Sequence, residues 1–196
     1  MRSHALARAI TAAVGVTALA LTTASPANAA ADPLRTYAKD TWRSMTAMTD
    51  PVTGLPADKI TGDLKTRAAV TSPTNIGAYL WSTLSARDIG LISKREAVRR
   101  VDRALGSLGR LDRHAPDGQF YNWYDPRTLQ VVPIWPEDGS VVKPFLSSVD
   151  NGWLAAALMM VRTAVPEERA EAERILSGMN FKVYYDPVAA ANGTGS

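Results

Sequence analysis

Three short segments of the sequence bring together the residue types that bind sugars. They span residues 71–77, 120–128 and 147–153, and between them they hold Phe, Tyr and Trp beside Thr, Asn, Asp and Ser. Aromatic faces stack on the C–H faces of a sugar ring, while its hydroxyl groups need fixed hydrogen-bond donors and acceptors. If the three segments meet in one cleft, the sequence predicts a saccharide site.

A helix followed by coil is expected before the first segment. Apolar residues spaced three or four apart, among them Leu34, Tyr37 and Met45, lie on one face and predict a helix from Asp32 to about Met48. Residues 58–70 are expected to be mostly coil.

Caps mark the next two helices. Ser72 as N-cap and Pro73 at the first helical position begin one helix, and Gly90 ends it. A capping box over Ser93–Glu96 begins a second helix, which stops at Gly109. Because the turn between them is short, these helices should form an αα-hairpin.

A long aromatic loop separates this hairpin from a second pair. Strand-like alternation flanks a turn at Asp125–Arg127, which predicts a short β-hairpin or an ordered loop, and loops of this length are usually functional. Ser147 then caps a helix with Asp150 three residues later, and Pro166 opens a helix that continues to Gly178. The pattern predicts an all-α toroid or barrel of helical hairpins, with its long loops at one mouth.

The N-terminal segment has the three-part pattern of an export signal. Arg2 and Arg8 precede an apolar run over Ala9–Leu21, and small residues follow at Ala27–Ala29. The run is too short for a permanent membrane anchor, so we expect residues 1–30 to be a removable signal peptide and the protein to be secreted. No later apolar stretch is long enough to span a membrane.

Charge and composition exclude several classes of protein. Loss of Arg2 and Arg8 with the signal lowers the formal charge from +3 to +1, so no nucleic-acid partner is expected. The chain contains no cysteine, which rules out disulfides and thiolate metal sites. The only histidine outside the predicted signal is His114, so we expect no metal site and no cofactor.

The sequence also resembles the glucoamylase-like modules of cyclic β-1,2-glucan synthases and related bacterial enzymes. The strings over residues 71–77, 118–129 and 147–154 occur in the same order and approximate spacing in those modules, and residues 179–186 are similar to their next landmark. The similarity covers about residues 41–186. It implies an (α/α) toroidal module that acts on, or binds, a bacterial glucan.

Such chemistry would need two carboxyl groups, one to deliver a proton and one to activate water or attack the sugar. Asp150 matches the acidic position of the Ser-Val-Asp motif and is the first candidate. Asp125 is the second candidate, although the turn formed by Asp-Pro is by itself enough to explain an Asp at this position. Glu137 lies in a stretch, 135–139, that looks like an insertion relative to the family. The side chains expected to bind the substrate are Thr74, Asn75, Tyr121, Asn122, Trp123, Tyr124, Arg127, Ser148, Asn151 and Trp153.

Structural explanations remain open for several of these residues. Helix capping alone also explains Ser72 and Ser147, and a carboxylate at the third position of a helix is favourable there without any catalytic role. Trp42 and Trp81 are expected in the core, whereas Trp123 and Trp153 suit either a core or a binding role.

We therefore expect a signal peptide (1–30), a module (31–186) and a flexible, turn-like tail (187–196). Because a closed toroid needs a longer chain, the module would be an N-terminal half that is inactive alone, or would assemble with another copy or partner. The leading hypothesis is a secreted glycoside hydrolase or transglycosylase acting on a glucan. The alternatives are a non-catalytic sugar-binding module and a structural or interaction module, and the latter would expose an apolar face.

Overall fold

The computed structural model describes residues 32–193, which fold mainly into helices with one two-stranded sheet. The predicted signal peptide lies outside the described residues. The helices are α1 (Pro33–Met48), α2 (Pro73–Asp88), α3 (Lys94–Leu108), α4 (Ser148–Ala164), α5 (Arg169–Ser177) and α6 (Pro187–Ala191). The strands are β1 (Tyr121–Asn122) and β2 (Phe145–Leu146), and two 3₁₀ turns span Pro166–Glu168 and Phe181–Tyr184.

Local sequence explains where these helices begin. Ser72 caps α2 as predicted, and its partner in a reciprocal capping box is Asn75. Ser93 also caps α3, but the side chain of Glu96 pairs with Arg99 and Arg100 of its own helix. The box predicted at α3 is therefore only half formed, since two neighbouring guanidinium groups compete for the carboxylate.

The core lies between α2, α3, α4 and α5. Ile76 and Leu80 of α2 and Leu154 and Leu158 of α4 are fully buried. Helix α1 contacts this core only through its second half, where the ring of Trp42 stacks on Tyr79 at 6.5 Å between centroids. Leu34 and Tyr37, which share the apolar face of α1, are exposed on the first half of the helix.

Helices α2 and α4 run parallel, side by side. Near their beginnings, Gly77 of α2 lies against the backbone of Trp153 and Leu154 in α4. Near their ends, Arg87 Nη1 donates to the carbonyl of Ala164 at 2.9 Å. The N-termini of both helices therefore lie at the same end of the fold.

The segment between α3 and α4 is an ordered loop that contains short β pairing, as predicted. Strand β1 pairs antiparallel with β2, with Asn122 opposite Phe145. The turn at Asp125 is closed by a hydrogen bond of 2.9 Å from the Leu129 N–H to the Asp125 carbonyl. Across residues 32–193, no helix combines the length and apolar character needed to cross a membrane.

Two details near the C-terminus differ from expectation. The helix predicted from Pro166 begins as a 3₁₀ turn before α5. Residues 187–191, predicted as turn-like, form the short helix α6, because the Asp186 carboxylate accepts from the N–H groups of Val188 and Ala189.

Candidate functional site

Backbone hydrogen bonds bring the first two predicted segments together. The N–H of Thr71 donates to the carbonyl of Tyr124 at 2.8 Å, and the N–H of Tyr124 donates back to the carbonyl of Thr71 at 3.0 Å. Thr71 immediately precedes the cap of α2. The aromatic loop therefore passes directly beside the N-terminus of that helix.

The third segment is joined to the loop by the fully buried side chain of Asn151. Its amide oxygen accepts from the Phe120 N–H at 2.8 Å, and its amide nitrogen donates to the Phe120 carbonyl at 2.9 Å and to the Ser147 carbonyl at 3.0 Å. The hydroxyl of Tyr184 lies 3.2 Å from the same nitrogen. Asn151 thus fixes the loop to the first turn of α4.

The carboxylate of Asp150 lies where the three segments meet. Burial favours its neutral form, but hydrogen bonds outweigh burial and hold the pKa of Asp150 below its ordinary value. The side chains that supply these bonds come from all three segments: Ser147, Thr74, Asn122 and Ser72. Asp150 is also at the third position of α4, where the helix dipole favours a negative charge. We call this group of five side chains the Asp150 site, and its carboxylate is ionised near neutral pH.

Several other predicted binding residues border the Asp150 site. Asn75 is held in the capping box by Ser72, and its amide nitrogen lies 3.3 Å from Asp58 Oδ1. Ser148 and Trp153 are exposed on the first turns of α4. Tyr121 is half-buried on β1, with its ring edge-on to His114 at 6.1 Å between centroids.

Three further predicted site residues make their hydrogen bonds within the loop itself. The hydroxyl of Tyr124 donates to the Asp112 carbonyl at 2.5 Å and accepts from the Tyr121 N–H at 2.8 Å, in a fully buried position. Burial opposes ionisation of Asp125, but its ion pair with Arg127 at 2.9 Å holds the pKa of Asp125 below its ordinary value. The side-chain hydrogen bonds between Asp125 and Arg127 stay within their own turn, and Arg127 also interacts electrostatically with Asp50. Neither side chain is among those that hydrogen-bond Asp150.

Residues 135–139, which look like an insertion in the sequence, lie next to a predicted binding residue. The ring of Trp135 packs edge-on against Trp123 at 5.6 Å between centroids. Glu137 pairs with Lys59 at 3.4 Å. Trp123 as a whole is half-buried.

Two residues near the site were missed as site residues. Tyr184 hydrogen-bonds Asn151 and Gln119, and burial, together with the nearby charges of Asp117 and Asp150, raises the pKa of its hydroxyl. The motif at residues 179–186 was the signal that could have found it. Trp81 was expected in the core, but the structure leaves it 37% exposed with its ring 5.7 Å from that of Trp153.

Within the part of the chain that the structure describes, no group of three or more His, Cys, Asp or Glu side chains is placed to hold a metal ion. The polar groups of the Asp150 site are hydroxyls, an amide and a single carboxylate.

The family described as "Protein of unknown function (DUF3131)" matches residues 36–186, and the chain belongs to this family. Cyclic beta-(1,2)-glucan synthase NdvB of Rhizobium meliloti is 35% identical over 145 residues, which are 73% of this chain and 5% of NdvB. The resemblance to the modules of glucan synthases is therefore confirmed.

Solved structures show the fold. The endo-beta-1,2-glucanase of Chitinophaga pinensis superposes with a TM-score of 0.61 at 20% identity, covering 76% of this chain and 37% of that protein. The beta-1,2-glucanase of Parabacteroides distasonis gives 0.56 at 18% identity, covering 74% of this chain and 19% of that protein. The helical hairpins belong to an (α/α) toroid, as predicted, and the chain spans well under half of each relative.

Proposed function

We propose that this chain is a glucan-active module of the glycoside hydrolase or transglycosylase type, and that it takes a β-1,2-linked glucan at the Asp150 site. The observation that carries the proposal is the convergence of three separate segments on one ionised carboxylate. The family relationship supports the choice of glucan, because both the glucan synthase and the two glucanases carry that linkage in their names.

The charge of Asp150 indicates its role. A carboxylate held ionised by hydroxyl and amide donors is poorly suited to deliver a proton, and it is well suited to activate water or to attack the sugar. The proton would come from a second carboxyl group. Asp125, the other predicted carboxylate, is itself held ionised by Arg127 within its turn, so the same criterion argues against it as the proton donor.

A hydrolysis and transfer assay tests this proposal. The full chain, expressed so that the host can export it, is incubated with β-1,2-glucan and, in parallel, with β-1,3- and β-1,4-glucans. The products are followed by anion-exchange chromatography. We expect turnover of the β-1,2-glucan only, and a loss of about 100-fold or more in Asp150→Asn, as for removal of an acid–base group. Asp102→Asn, which changes an exposed carboxylate on α3, is the matched control and should keep full activity.

A non-catalytic glucan-binding module is the second candidate, and the confinement of Asp125 to its own turn favours it. This alternative predicts β-1,2-glucan binding by calorimetry without any products. If the full chain neither binds nor converts any of the three glucans, both proposals are wrong.

Export is a separate proposal, supported by the basic, apolar and small-residue order of residues 1–30. We expect the protein in the culture medium or wall fraction, with an N-terminus near residue 31. Recovery of intracellular protein with an intact N-terminus would contradict it.

A further inference from the structure

Two large aromatic side chains lie exposed beside the Asp150 site. Trp153 of α4 is 48% exposed and Trp81 of α2 is 37% exposed, and their rings are 5.7 Å apart between centroids, tilted by 45°. Isolated apolar residues on a surface need no explanation, but exposing two adjacent tryptophan rings to water is unfavourable in free energy. Contiguous apolar surface of this kind is typical of a binding site.

The pair is continuous with the Asp150 site. Trp153 follows Asp150 by three residues on α4, a rise of about 4.5 Å along the helix. Trp81 follows Gly77 by four residues on α2, and Gly77 is the point where the two helices touch. The contact at Gly77 places the two rings side by side on one surface, one helical turn beyond the carboxylate.

Beyond Trp81 the surface continues into a groove between α1 and α2. Its volume is about 250 Å³, and it combines the rings and side chains of Trp42, Met45 and Trp81 with the hydroxyl groups of Ser82 and Ser85. Because the ring of Trp42 already stacks on Tyr79 and contacts Arg100, the stacking face offered in this groove is that of Trp81. An aromatic face next to short hydroxyl donors and acceptors suits a sugar ring.

We infer that Trp81 and Trp153, with the groove beside Trp81, form a second sugar-binding position one or more units away from the sugar held at Asp150. The inference rests on the proposed function and extends it, because it assigns to the module a glucan chain of several units rather than a single sugar or disaccharide. Trp81 would act only on substrates long enough to reach it.

Binding of short and long oligosaccharides tests the inference. Calorimetry compares β-1,2-linked di- and octasaccharides on the full chain, Trp81→Ala and Trp81→Phe. We expect Trp81→Ala to weaken octasaccharide binding about tenfold and to leave disaccharide binding unchanged, and Trp81→Phe to restore most of the loss because it keeps an aromatic face. Val52→Ala, which truncates an exposed apolar side chain in the turn after α1, is the control and should bind both sugars normally.

Circular dichroism and thermal melting first establish that each variant is folded. Equal effects of Trp81→Ala on the binding of both sugars, or no effect on either, would overturn the inference. The proposed function would still stand if Asp150→Asn loses turnover or binding. Absence of binding by the unaltered chain would instead remove the proposed function and the inference with it. A self-association seen by sedimentation velocity and abolished by Trp81→Ala, with octasaccharide binding unchanged, would show that the pair is a protein interface.

Discussion

The side-chain amide of Asn151 pairs with both backbone polar groups of Phe120, accepting from its N–H at 2.8 Å and donating to its carbonyl at 2.9 Å. The amide therefore makes the pair of backbone hydrogen bonds that a neighbouring strand would make. Since Asp150 precedes Asn151 in the chain and Asn122 follows Phe120 by two residues, this one contact sets the distance between the carboxylate and the loop that hydrogen-bonds it.

Replacing Asn151 by Ala should cost about 2–4 kcal/mol in the free energy of unfolding, because two buried backbone groups of Phe120 lose their partners. Urea unfolding followed by circular dichroism measures the change. Asn180→Ala is the control: its side chain caps an exposed 3₁₀ turn, and the expected cost is about 1 kcal/mol. Equal losses in the two variants would show that the Asn151 contacts contribute no more than an ordinary cap.

Gly118 allows the aromatic loop to pass close to the end of α5. Its φ is +67°, and a Cβ at this position would overlap the carbonyl oxygen of Gly178. Gly139 has a similar φ of +73° but open space around it. Gly139→Ala should therefore lower the free energy of unfolding only by the left-handed backbone penalty of about 1–2 kcal/mol. Gly118→Ala should lower it clearly more, because its Cβ also overlaps the Gly178 carbonyl oxygen.

Thermal melting of the two glycine variants separates these contributions. Comparable Tm losses would mean that the loop moves away from Gly178 without cost. That outcome would also weaken the case for a rigid Asp150 site, because residues 119–122 continue directly from this turn.

The helix starts could be predicted from sequence because they depend on residues a few positions apart. Ser72, Ser93 and Ser147 all cap helices where their spacing indicated. Capping is a local interaction between a side chain and the next turn, so the sequence alone contains it.

What could not be predicted depends on contacts between distant parts of the chain. Trp81 has the spacing of a core residue, yet it is 37% exposed, and its ring lies beside that of Trp153 on α4. Tyr124 has the type of a binding residue, yet its hydroxyl is used by the Asp112 carbonyl twelve residues away. Composition and spacing do not distinguish a buried from an exposed tryptophan, or a binding from a structural tyrosine.

The ionised state of Asp150 makes stability depend on pH. Because its pKa is lowered in the folded protein relative to the ordinary value of 3.8, ionised Asp150 stabilises the fold above that value, and the contribution is lost as the pH falls through the folded-state pKa. Asp150→Asn should therefore be less stable than the unaltered protein at neutral pH, with a difference that narrows in acid. Urea midpoints across an acidic pH series measure this, and a constant difference would contradict it.

The close contact of α2 and α4 can be tested with two helical glycines. A Cβ at Gly77 would lie 3.0 Å from the Trp153 carbonyl oxygen and 3.1 Å from the Leu154 Cα, so Gly77→Ala must push the two backbones apart. Gly106 of α3 has open space, and Gly106→Ala should stabilise the protein by about 0.5–1 kcal/mol through helix propensity. We expect Gly77→Ala to destabilise instead, and to change the tryptophan fluorescence because Trp81 and Trp153 are carried by the helices that separate. A stabilising Gly77→Ala with unchanged fluorescence would show that the helices are less tightly packed than the structure indicates.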